Sequence, residues 1–305
     1  MLKSISKLAV TRNGVSWGKR LSAVSLIFVL VTGAVTAVFG ASRPQYDTWI
    51  ALAYFSTAIV VSILLAQLFF DLEGWFEQRG RDLEAQKIFE SLDGKGRPVP
   101  FTLYLRPFHS TDQIAGHTNN IVRMSTDPSQ ISHFAHVEER VEFESVVEKA
   151  LRSIGSVVAL GKPLEHWGAG RIKVADDVWQ DAIKKLIDNA QLIMLLPSPR
   201  PGTSWEVEYV LSSGAVRRTI IVDPPNHMGA ANKTYNPAAE WAGVRQVFLD
   251  HGFVLPEDDP EGRLVYFSEG TQPDMTSKIS FEGQNSVRKF AKNVLKKIKT
   301  RQAGT

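Results

Sequence analysis

The chain has 305 residues with 44% hydrophobic and 22% charged side chains, a globular composition that excludes disorder throughout. It has no cysteine, which removes disulfide scaffolds, zinc ribbons, iron–sulfur clusters and thiol catalysis together. The formal charge of +3 is unevenly placed: Lys3, Lys7, Arg12, Lys19 and Arg20 open the chain, and Arg288, Lys289, Lys292, Lys296, Lys297, Lys299 and Arg301 close it. Without those twelve, 23 basic residues face 32 acidic ones, a balance of −9, so the body is acidic and no nucleic-acid partner is expected.

After the basic segment 1–20 come two uncharged stretches, 21–42 and 48–70. Each exceeds the roughly 20 residues that cross a bilayer's hydrocarbon core. The connection Arg43–Asp47 is short and contains Pro44, so the two predicted spans form a transmembrane hairpin. Tyr46, Trp49 and Trp75 fall where aromatic belts lie, at the membrane–water interfaces. Basic residues gather before the first span and after the second (Arg79, Arg81, Lys87), which predicts a two-span protein of the inner or plasma membrane with both termini in the cytoplasm. A cleaved signal peptide is the rival, but its apolar region is shorter than 21–42 and would not be followed at once by a second span. Residues 71–99 read as a polar, helical juxtamembrane stalk stopped by Gly94, Gly96 and Pro98.

From 100 to 305, apolar runs alternate with helical periods. Five strands are predicted: 101–108, 156–161, 191–197, 219–225 and 263–270. Four are nearly continuous in apolar residues, as strands buried on both faces are. Helices are predicted where Val141, Val146, Val147, Ala150, Leu151 and Ile154 form one stripe, and where Val178, Trp179, Ala182, Ile183, Leu186, Ile187 and Ala190 form another. Further helices are expected from an N-cap at Ser204 to about Gly214, over 238–251, and over 287–299 with lysines outward. Strand–helix alternation implies a flavodoxin-like, doubly wound α/β domain with a five-stranded parallel sheet. Ligands of such sheets lie beyond the carboxyl ends of the strands. Here those ends are 106–112, 161–171, 197–205 and 223–226, with an unusually long loop at 109–137.

Several residues near those ends are candidates. In PGTSWEVEY (201–209), Ser204, Trp205 and Glu206 would face the ligand cleft, or Glu206 would only complement a helix N-terminus. Gly168-Ala169-Gly170-Arg171 would offer backbone N–H groups and a guanidinium to a phosphate, or be an ordinary turn. Arg106 would bind a phosphate or carboxylate, or pair with an acid at the strand end. Asp176 and Asp177 look like an N-cap and a first-turn acid. His133 and His136 have no third ligand at a sensible spacing, so no metal is expected, and Walker, zincin and Gly-rich dinucleotide fingerprints are missing.

The strand followed by G-T-S-W-E-x-x-Y resembles the G-T-A-x-E-x-G-Y element of nucleoside 2-deoxyribosyltransferases, whose glutamate attacks the sugar C1′. The region from about 100 to 300 also resembles a TIR domain. There the first strand leads into a stretch ending in Asp (here YLRPFHSTD), a polar loop follows the second strand (GKPLEHWGAGR), and the helix after the third carries a Trp and the catalytic Glu. The match departs in two places: Glu206 and Glu208 stand one and three residues after Trp205 where many TIR domains have four, and the 109–137 insertion is additional. The resemblance implies Glu206 as the catalytic carboxylate, with Arg106, Phe108, Gly168, Arg171, Ser204 and Trp205 around the substrate. It implies a nucleotide, NAD foremost, as substrate rather than cofactor, self-association, and a role in signalling or bacterial defence. The competing expectation is a non-catalytic module that binds a nucleotide or self-associates as a scaffold.

Overall fold

The computed structural model describes residues 56, 57, 61, 74–94, 99–107, 115–118, 139–161, 168–225, 236–279 and 285–304. Outside them lie the basic segment 1–20, both expected membrane spans but for Ser56, Thr57 and Val61, the turn 43–47, Phe108, His133, His136 and most of the 109–137 loop. Among the described residues no helix is long and apolar enough to cross a membrane. The chain divides into two compact units, one of Met1–Gly80 with Ser125–Ser132, the other of Arg81–Met124 with His133–Thr305. In the first, the described residues are helical, and the Arg79 guanidinium lies 5.4 Å from the centre of the Trp75 ring.

The second unit opens with helix α1, 81–91, and continues β1 (Phe101–Leu105), β2 (Ala115–Thr118), β3 (Glu139–Glu142), α2 (Phe143–Leu151), β4 (Ser156–Leu160) and β5 (Gly170–Ile172). Then follow α3 (Trp179–Asn189), β6 (Leu192–Leu195), α4 (Pro201–Ser212), β7 (Thr219–Asp223), α5 (Pro237–Asp250), β8 (Arg263–Tyr266), β9 (Met275–Lys278) and α6 (Asn285–Gly304). Seven strands form one sheet in the order β5-β4-β1-β6-β7-β8-β9, and β2 with β3 forms a separate antiparallel pair.

Each predicted apolar run is a strand, yet the sheet has seven strands where five were expected, and the last predicted strand is reversed. Strands β5 to β7 are parallel, whereas β8 runs antiparallel to β7, and β9 antiparallel to β8. The cause is the connection after α5. A 14-residue helix is about 21 Å long, and the 12 residues 251–262, extended at roughly 3.3 Å each, are enough to retrace it. They return the chain to the carboxyl end of β7, where Gly262 (φ 75°) lies against Pro225; a Cβ there would be 2.5 Å from the proline Cδ. Strand β8 therefore starts where a parallel strand would end.

Alternate residues of the strands face two cores. One face packs Phe101, Leu103 and Leu105 of β1 and Ile193 and Leu195 of β6 against apolar residues of α1, α3, α4 and α5. The other packs Tyr104, Leu192, Met194, Ile220 and Val222 against α2 and α6. A period of two in strands covered on both faces is what makes these runs continuously apolar. Each fully buried Leu, Ile or Val contributes about 1.5–3 kcal/mol of transfer free energy.

Three other expectations change. Residues 81–91 of the expected stalk are docked on the sheet: Ala85 and Ile88 are buried in its core, and a Cβ on Gly170 would overlap the Arg81 carbonyl oxygen. Val141, placed on a helical stripe, belongs to β3, and α2 starts at Phe143. Asp176 and Asp177 form a turn ahead of α3, whose N-cap is Val178 with no side-chain capping bond.

Candidate functional site at the ends of β1 and β6

Chain order places β4 on one side of β1 and β6 on the other, so the connections leaving this point of the sheet diverge. Crevices form outside the carboxyl ends of strands at such a switch point. Arg106 follows β1 directly, and Pro107 then removes the donor that would extend the ladder. Beyond β6 the chain reads Leu-Pro-Ser-Pro-Arg-Pro, so the strand stops and a helix starts. Helix α4 begins at Pro201, three residues before the expected Ser204 N-cap. Proline suits the first helical position, since its φ is already helical and the missing N–H would have had no acceptor. The N-cap is Arg200, and the loop is held by the Arg200 Nε–Glu240 Oε1 pair at 3.2 Å and by Ser198 Oγ, which donates to Glu240.

The earlier start moves Glu206 into the second turn of α4, and the first turn holds no acid. A macrodipole acts mainly on the first turn, so a capping role no longer accounts for Glu206. The residue is 2% exposed, and Oε2 has no hydrogen-bond partner among the described residues. Burial pushes the carboxyl up from its ordinary value of 4.5 to about 8, against the opposing pull of the Arg106 charge. At neutral pH it is mostly a neutral acid. Glu208, two residues on, is exposed.

Desolvation outweighs the Arg106 charge at Glu206, and Arg106 also serves a second acid. Its Nε lies 3.0 Å from Oε2 of Glu144, in the first turn of α2. The other Glu144 oxygen lies 2.7 Å from Arg171 Nη2 in an ion pair and accepts the Ala169 N–H at 3.0 Å. Gly168 (φ 141°) makes room, since a Cβ there would sit 2.8 Å from Glu144 Cγ. The Arg171 backbone N–H donates to Asp82 of α1 at 2.8 Å. Arg106, Glu144 and Arg171 are all buried, the last with a side chain wholly inaccessible.

The geometry thus brings together Arg106, Gly168 and Arg171 through Glu144, and sets Glu206 within electrostatic reach of Arg106. The Gly168–Arg171 segment is the entry to β5, cradling the chain's own carboxylate in the way expected for a phosphate. Ser204 and Trp205 are not drawn in. The Ser204 N–H bonds the Arg200 carbonyl within the helix. The Trp205 ring turns onto α3, edge-on to Trp179 at 5.2 Å, stacked with Tyr209 at 5.9 Å, and 5.7 Å from Lys184 Nζ.

Sequence reasoning missed Glu144, Asp82 and Asp223. Nothing local marks the first two, whose partners lie 25 and 89 residues away. Asp223 had a signal: it ends the apolar run TIIVD at the carboxyl edge. It is wholly buried, its Oδ2 accepts the Asp259 N–H at 3.1 Å, Oδ1 has no partner among the described residues, and burial raises it from 3.8 to about 7. Among the described residues no three His, Asp or Glu side chains are grouped to hold a metal ion. No family model, curated protein or solved structure matches the chain.

Proposed function

We propose that the chain is a membrane-anchored TIR-like domain, flavodoxin-like in class and facing the cytoplasm, that cleaves the N-glycosidic bond of NAD or a related nucleotide in signalling or defence. The observation that carries this reading is Glu206: a buried carboxyl with one oxygen unpartnered among the described residues, on the helix that follows β6, within electrostatic reach of Arg106 at the end of β1. Nicotinamide leaves as a neutral base and needs little acid assistance, so one carboxylate beneath C1′ can stabilise the oxocarbenium-like transition state. The resting carboxyl is protonated at neutral pH, and a cationic nicotinamide ring brought beside it favours the charged form. Binding and proton loss are then linked. Because the Glu206 carboxyl must be ionised, kcat/KM should rise with pH to a plateau above about 8.

The test uses the full chain in lipid nanodiscs, at a density that permits the self-association the reading includes. Glu206→Gln should cut NAD consumption by roughly a hundredfold or more, while Glu208→Gln leaves it within about twofold because Glu208 is exposed. Undiminished turnover in Glu206→Gln would remove the catalytic role. No turnover in the unsubstituted assembled chain would leave the non-catalytic, nucleotide-binding reading.

A further inference from the structure

Helix α6 carries seven basic residues and no acid, and they divide into two sets. Three serve the fold. The Arg288 guanidinium donates to the Ala150 and Lys149 carbonyls of α2 at 3.2 and 3.3 Å. Arg301 donates to the Ser268 carbonyl at 3.0 Å, and the Lys297 charge helps hold Asp274 below its usual range, where the Ser268 hydroxyl acts first. The other four, Lys289, Lys292, Lys296 and Lys299, are exposed, and their ammonium groups have no partner among the described residues.

At 100° per residue those four fall within an arc of about 80° and run about 15 Å along the helix. Val287, Phe290, Ala291, Val294 and Leu295 occupy the opposite side, packed into the core. The stripe is thus held outward by the burial of the other face. We propose that it is a docking surface for the anionic headgroups of a lipid leaflet.

Charge complementarity carries the choice of partner. Beyond its two basic ends the chain is acidic, so a polyanion meets repulsion over most of the surface and attraction along this stripe. A flat leaflet can touch one straight row of ammonium groups without meeting the acidic remainder. Nucleic acid is the less fitting polyanion: the stripe has no arginine for bidentate base contacts and no aromatic residue for stacking. The chain's two long uncharged stretches, 21–42 and 48–70, would keep such a surface at high local concentration, where weak contacts count. The inference does not depend on Glu206 acting on a nucleotide.

The absence of cysteine allows a single label. A donor fluorophore on Asn293→Cys, exposed beside the stripe, reports energy transfer to a headgroup acceptor in nanodiscs holding the full chain. Transfer should be stronger in phosphatidylcholine–phosphatidylserine than in phosphatidylcholine alone, and should collapse as salt screens the charges. Lys→Gln at 289, 292, 296 and 299 together should abolish the phosphatidylserine effect, and Lys→Arg at the same positions should keep it. Transfer equal in both lipids, or unchanged in the Gln variant with its fold intact by circular dichroism, overturns the proposal. A chain that does not enter nanodiscs is mixed with vesicles of the same lipids, where roughly fivefold weaker partitioning per lysine lost is required. Binding of duplex DNA through these lysines without any preference for phosphatidylserine would assign the stripe to nucleic acid and refute the lipid surface.

Discussion

Glu206 and Asp223 are both buried acids at or beyond the carboxyl ends of parallel strands, both have one oxygen without a partner among the described residues, and both have an arginine within electrostatic reach. Their surroundings differ. Asp223 is roofed by the chain's own return: Asp259 donates to it, Gly262 packs on Pro225, and half-buried Arg263, 3.9 Å away, pairs more closely with Asp259 at 3.1 Å. Glu206 lies at the switch point between β1 and β6, and its arginine is buried and clamped by another carboxylate. The contrast teaches that proximity of an arginine does not decide an acid's charge. In both places burial outweighs the pull of an arginine whose charge is shared with a second acid.

The largest test breaks the clamp. Glu144→Ala leaves the Arg106 and Arg171 guanidiniums buried without their shared carboxylate, a loss of about 3–5 kcal/mol. Asp259→Ala removes a partly exposed partner from the other cluster and should cost less than about 1 kcal/mol. Urea unfolding of the two variants measures both, and equal losses would erase the distinction.

Gly168→Ala sharpens the point at smaller scale. The alanine must adopt a φ of 141° and push its Cβ into Glu144 Cγ, at a cost of about 2 kcal/mol. The same urea midpoints report it, and a neutral result would mean that the clamp tolerates displacement.

The smallest effect, taken per pH unit, is the dependence on pH. Glu206 titrates near 8 when folded against 4.5 ordinarily, and Asp223 near 7 against 3.8. Between each pair of values the folded chain keeps a proton that the unfolded chain has lost. Stability is therefore fullest below the lower value and falls as pH rises through the higher, by about 1.4 kcal/mol per pH unit per group. Glu206→Gln should flatten the decline up to about pH 8, Asp223→Asn only up to about pH 7. Thermal unfolding across pH 5–9 separates them, and parallel curves for both variants and the parent would show that neither acid is held neutral.

Much of the architecture was legible because strands covered on both faces write themselves as apolar runs, as in TIIVD and QLIMLLP. What escaped was relational. The direction of β8 depends on the length of 251–262, not on the pattern of RLVYF. Strand β5 is three residues, GRI, in a polar loop. Helix α1 hides two core residues, Ala85 and Ile88, among charges, so a docked helix looked like a stalk. Glu206 stands out as a candidate in the sequence because its motif is contiguous. Glu144 joins Arg106, 38 positions earlier, to Arg171, 27 later, and no window holds all three.

The docking of α1 has a consequence for any shortened form of the chain. Cutting at residue 100, where the apolar pattern of the α/β region begins, would remove the cover from β5. The Arg171 N–H would lose the Asp82 acceptor, and the backbone at Gly170 would be uncovered at the sheet's outer edge. An uncovered edge strand is a template for pairing with another chain. Residues 81–91 thus cover an edge that would otherwise be open to such pairing.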